Sequence, residues 1–130
     1  MPLKLTRVVS IMLGARDLEA STRFYTETLG LNATLQSPQI VLLDAGSITL
    51  GLSPGHVRLA TQTADPQSAN QKISGATEVS FAVEDIRAAY TALSEKGVTF
   101  LSEPRQVTDK EFAAHFRDPD GHLLSIFGPE

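Results

Sequence analysis

The feature that most constrains the fold is an internal repeat. Ser10–Asp17 overlays Glu78–Asp85 at an offset of 68, so that Ile11, Leu13 and Ala15 fall on Val79, Phe81 and Val83. Both copies alternate as half-buried strands do, and Asp17 and Asp85 then stand where each strand gives way to a helix whose free N–H groups a carboxylate can accept from. Ile86, Ala89, Tyr90 and Leu93 make the apolar stripe of the second helix, and Leu18, Ser21, Tyr25 and Leu29 a weaker one in the first. Gly30 and Gly97 end the helices, and strands open after them at Leu31–Leu35 and Val98–Leu101. Two further strands complete each half, at Gln39–Ala45 and Ser47–Leu52, and at Phe112–Arg117 and His122–Phe127. Their turns carry Asp44-Ala45-Gly46 and Asp118-Pro119-Asp120-Gly121. The plan is βαβββ twice in an α+β fold. Module one covers about 5–52, a polar linker 53–75 and module two about 76–128, all within one domain, 1–130.

A chain of 130 residues needs no covalent staple to close such a core, and it has no cysteine with which to make one. That fits a reducing, cytoplasmic setting. The formal charge of −4, without a Lys/Arg cluster, argues against a nucleic-acid partner. No run approaches the roughly 18 apolar residues of a membrane span. Lys4 and Arg7 before Val8–Leu13 superficially suggest a leader, but the segment recurs inside the chain, where a leader cannot lie.

Met12–Leu31, MLGARDLEASTRFYTETLGL, and His115–Ile126, HFRDPDGHLLSI, resemble the opening and the terminal hairpin of the vicinal oxygen chelate superfamily of glyoxalases, bleomycin-resistance proteins and extradiol dioxygenases. The resemblance implies that each module's strands curl, and that the pair makes a half-open curved-sheet cup. It also implies a homodimer and a small organic ligand. Metal-using members carry ligands on the first and last strand of each module. Those positions fall on Ser10 and Glu78 for the first strands, on Ser125, four residues past Gly121, and on Leu50, four past Gly46.

Strand parity puts Ser10 and Met12 on one face, with Val9, Ile11 and Leu13 on the other. Glu78, Ser80 and Ser125 likewise face away from their apolar neighbours. The expected ligand-binding set is Ser10, Met12, Leu50, Glu78, Ser80, His115 and Ser125. Only Glu78 among the four carried-over positions is a strong donor, so the sequence calls for no metal and no cofactor. Glu78 stands in a central strand, either as a functional carboxylate or as the partner of Arg58, Arg105 or Arg117. His122 is expected to cap the hairpin and His56 to be solvated in the linker.

The leading functional expectation is a small-molecule-binding protein, of the resistance or sequestration kind, with a degenerate metal site. The alternative is an enzyme of the same superfamily, a glyoxalase-like lyase or isomerase or an extradiol-type dioxygenase. It would be metal-free with Glu78 as base, or would hold a metal in a rearranged site.

Overall fold

The computed structural model describes residues 3, 5–57 and 77–130. The chain divides into two compact units, Met1–Thr63 and Ala64–Glu130.

The first unit runs β1 (Ser10–Gly14), α1 (Leu18–Arg23), a π-helical turn (Phe24–Thr28), β2 (Asn32–Gln36), β3 (Val41–Asp44) and β4 (Thr49–Ser53). Its sheet has the order β1-β4-β3-β2, with β1 parallel to β4 and the remaining pairs antiparallel. The second unit repeats the plan with β5 (Glu78–Ala82), α2 (Ile86–Glu95), β6 (Arg105–Gln106), β7 (Glu111–Arg117) and β8 (Leu123–Pro129). Its order is β5-β8-β7-β6, again with one parallel pair, β5 with β8. The repeat reaches single hydrogen bonds. Ala15 N donates to Ser53 O at 3.2 Å, and its counterpart Val83 N donates to Phe127 O at 2.9 Å.

The helix starts and stops follow from the residues that mark them. Asp17 Oδ1 accepts from Ala20 N at 3.0 Å and Asp85 Oδ1 from Ala88 N at 3.1 Å, the paired N-caps the repeat predicts. Gly30 and Gly97 follow the helices at φ 79° and 98°, where a side chain would be strained.

Paired residues on neighbouring strands share a face, so the registers define what each sheet buries. In the first unit Leu13, Leu52 and Val41 stand in one row and Leu50 and Leu43 in the next, all buried, with Tyr25 of the helical segment fully buried as well. In the second, Phe116, Leu124 and Ile126 are buried and Ile86 of α2 is covered completely. Tyr90 of α2 reaches Phe100 at 4.6 Å between ring centroids, and Phe100 meets Phe116 at 5.3 Å, which places α2 on the Phe116 face. Each such side chain contributes roughly 1.5–3 kcal/mol when fully buried.

Three expectations need correction. The first helix does not continue as α-helix to Leu29. It widens at Phe24, with Leu29 N bonding to Phe24 O at 3.0 Å in the five-residue spacing of a π turn. Val98–Leu101 does not form a strand. Leu101 N donates to His115 O at 2.8 Å, but a bend at 101–103 and Pro104, which has no N–H, interrupt the ladder until Arg105. The third concerns Leu50 and is described with the site. Most of the expected linker lies outside the described residues, as does Arg58. At its start, residues 54–57 form a helical turn.

Candidate functional site

The sheet faces opposite α1 and α2 carry no long helix among the described residues, and these are the helix-free faces. In the second unit Ser80 pairs with Ser125 across β5 and β8, and Ser125 pairs with His115 across β8 and β7. Glu78, Leu123 and Arg117 form the adjacent row, and Ala82, Phe127, Ala113 and Arg105 the row on the other side. Ser80, His115 and Ser125 therefore stand side by side with Glu78 next to them; parity gave the faces of Glu78, Ser80 and Ser125, and the register adds His115.

Two polar contacts organise this face. His115 Nε2 lies 3.0 Å from Glu78 Oε2, with both side chains 38% exposed, so the pair is half open to solvent. A carboxylate only accepts, so Nε2 carries the proton, and in the neutral imidazole Nδ1 then presents a lone pair. Ser125 Oγ donates to Ser80 Oγ at 2.8 Å. Ser125 is 2% exposed and Ser80 is on the surface, which leaves the Ser80 proton free to donate outward. Glu78 does not stand in a central strand as expected, because β5 lies at the edge of its sheet, and its partner is a histidine two strands away. Arg117, one of the expected partners, instead donates from Nη1 to Gly121 O at 2.9 Å across its own hairpin.

In the first unit Ser10 and Met12 lie on the face away from Leu13, as expected. Leu50 does not join them. It pairs with Ile11 and is fully buried in the helix-side core, and the residue beside Met12 is Gly51. Leu42 stands next in that row. A Cβ at Gly51 would run into Sδ and Cε of Met12, so the methionine side chain lies over the glycine. The residue equivalent to Ser125 is accordingly Gly51, which sequence reasoning missed. Only the strand register discloses it.

The other histidines play different parts. His122 offers its backbone N–H to Asp118 Oδ1 at 2.9 Å, so Asp118 supplies the carboxylate that organises the hairpin. His56 is not solvated as expected, since its Nδ1 is buried, with no hydrogen-bond partner among the described residues.

A family model described as the Glyoxalase/Bleomycin resistance protein/Dioxygenase superfamily matches residues 7–126. The chain belongs to that superfamily. Among its relatives, the uncharacterized protein YraH of Bacillus subtilis (strain 168) is 29% identical over 126 residues, covering 93% of this chain and 97% of the relative. Metallothiol transferase FosB of Shouchella clausii (strain KSM-K16) is 42% identical over 53 residues, 38% of this chain and 36% of FosB. The structure of TnmS3, an antibiotic binding protein from Streptomyces sp. CB03234, superposes with a TM-score of 0.70 at 20% identity, covering 99% of this chain and 100% of that one. At that identity the likeness speaks to fold.

The superfamily's metal positions test whether a metal suits the donors present. On the second unit's face Glu78 and His115 are the strong donors, already bonded to each other, and Ser125 is a weak one. Among the described residues, no group of three or more His, Cys, Asp or Glu side chains could hold an ion. The donors of this face do not fit a divalent metal, and no chemistry is routed through one. No helix among the described residues is long and apolar enough to cross a membrane.

Proposed function

We propose that the protein binds a small organic molecule on the helix-free sheet face around Glu78, Ser80, His115 and Ser125, as a resistance or sequestration protein would. The observation that carries the reading is the Glu78–His115 contact of 3.0 Å. A carboxylate and an imidazole, each half exposed, sit among Leu123, Phe127, Ala82 and Ala113 on a face that core packing does not require to be polar. A few polar groups set in apolar surroundings are what a pocket needs to orient a ligand. The description of TnmS3 as an antibiotic binding protein on this fold supports the same reading.

Ser10 and Met12 are proposed as ligand contacts on the first unit's own sheet face, with Gly51 in the place expected of Leu50. The two modules are read as one domain, in a cytoplasmic homodimer. The test is native mass spectrometry after exposure to a metabolite mixture, with amide shifts of Ser80, His115 and Ser125 followed by NMR. A retained adduct that moves those amides supports the reading. If nothing is retained and the amides stay silent, the reading is wrong.

A second reading follows from the same pair. A carboxylate that fixes an imidazole is also an acid–base device, so a metal-free enzyme using Glu78 and His115 for proton transfer is the alternative. Turnover lost on Glu78→Gln, in protein that elemental analysis finds free of transition metal, would favour it over sequestration.

A further inference from the structure

Resting on the binding reading, we infer that this face selects ligands bearing a cationic nitrogen with two hydrogen-bond donors, such as an amidinium or a primary ammonium, on an apolar body. The argument is a count of donors and acceptors. Glu78 Oε2 faces His115 Nε2 at 3.0 Å, which leaves Oε1 as an acceptor carrying carboxylate charge. With the imidazole neutral, His115 Nδ1 is a second acceptor. Ser80 adds one outward hydroxyl, its oxygen already engaged by Ser125 at 2.8 Å. The pair therefore presents two acceptors and one negative charge.

Among the described residues the cations of this face stand off that charge, and Arg117, in the same row as Glu78, is separated from it by Leu123. Arg117 is held to the Gly121 carbonyl at 2.9 Å, and Arg105 stands in the next row but one from Glu78, across the serine row. Glu111, further along β7, adds another carboxylate, hydrogen-bonded to Thr108 Oγ1 at 3.1 Å. Around the two acceptors, Leu123, Phe127, Ala82 and Ala113 offer apolar surface for the body of the ligand. An anion would meet Glu78 without a facing donor pair, and like charge at contact distance is repelled.

The experiment titrates full-length protein with three probes of one size and different charge, benzamidine, benzyl alcohol and benzoate, followed by amide shifts of Ser80, His115 and Phe127. Benzamidine is expected to move these amides and to bind at least about tenfold more tightly than benzoate, a difference of one charge-assisted contact. Glu78→Gln should remove that preference while the rest of the spectrum stays in place. If benzyl alcohol or benzoate binds this face as tightly as benzamidine, the charge selection is wrong and the binding reading stands. If none of the three moves the face, the selection is also wrong, and the metabolite screen, which does not depend on probe charge, decides the binding reading separately. Because the three-probe comparison uses unmodified protein, it holds even where the variant folds poorly.

Discussion

Two strand glycines should respond to alanine by different amounts. At Gly128 in β8, an added Cβ would run into the carbonyl oxygen of Val83, with the carbonyl carbon and Cγ2 of the same residue at 3.1 Å. The obstacle is backbone, and it is tied down, because Val83 N donates to Phe127 O at 2.9 Å. Making room means parting the end of β5 from β8, which gives up that hydrogen bond, about 1 kcal/mol, and adds overpacking strain of about 1–3 kcal/mol. Gly128→Ala should therefore destabilise by about 2–4 kcal/mol, a fall in Tm of about 8–15 °C for a chain of this size. At Gly51 the Cβ would meet the far end of Met12, with Leu42 Cδ2 at 3.3 Å. Methionine can swing away, so Gly51→Ala should destabilise by less than about 1.5 kcal/mol, and Met12→Ala in that background should relieve most of the strain. Thermal and urea denaturation followed by circular dichroism measures both. The reasoning fails if Gly128→Ala melts within about 2 °C of wild type, or if Gly51→Ala proves the more damaging of the two.

Glu78→Gln should shift Tm by no more than about 3 °C, since a polar contact this exposed is worth about 0–1 kcal/mol, and a larger fall would mark the pair as structural. Asp17→Ala and Asp85→Ala should each destabilise by about 0.5–2 kcal/mol in urea denaturation, and equal costs would agree with their equivalence in the repeat. Ser125→Ala, which withdraws a hydrogen bond from exposed Ser80, should destabilise by about 1 kcal/mol or less while changing the Ser80 amide shift. Light scattering at micromolar concentration should report twice the chain mass, and a monomer would refute the dimer.

Much of the fold was legible because its signals are local and occur twice. Asp17 and Asp85 announce helix starts, Gly30 and Gly97 announce their ends, and the alternation around Ile11 and Val79 assigns faces without any knowledge of the partner strand. The faces of the candidate residues were legible to the same extent: parity alone turns Ser10, Met12, Glu78, Ser80 and Ser125 away from the helix-side core. What failed depended on long-range register. Aligning Gly46 with Gly121 assumed identical hairpins, but β4 resumes at Thr49, three residues after Gly46, and β8 at Leu123, two after Gly121. That slip of one residue exchanges Leu50 for Gly51, and in a strand it moves the side chain to the opposite face. The Glu78–His115 contact was hidden for a related reason. It joins β5 to β7 across β8, and no local pattern reports the order of strands in a sheet.

With the register corrected, the two units can be compared row by row, and they differ in only one layer. Met12, Gly51 and Leu42 occupy one row of the first sheet. Ser80, Ser125 and His115 occupy the same row of the second. The helix-side rows hold apolar residues in both, with Leu13 and Leu52 answering to Phe81 and Ile126. A polar substitution there would bury an unpaired group at a cost of about 1–3 kcal/mol or more, which holds the core to one chemistry. The helix-free faces are under no such constraint. In the compared row a sulfur folded over a glycine makes the first unit apolar, beside a polar row of Ser10, Thr49, Asp44 and Asn32. A hydroxyl pair and a carboxylate–imidazole pair make that row of the second unit polar, through contacts that helix packing does not need. Polarity gained on the one layer that packing leaves free is better explained by a ligand than by stability. That is why the charge of Glu78, rather than the shape it shares with glutamine, is the property to remove first.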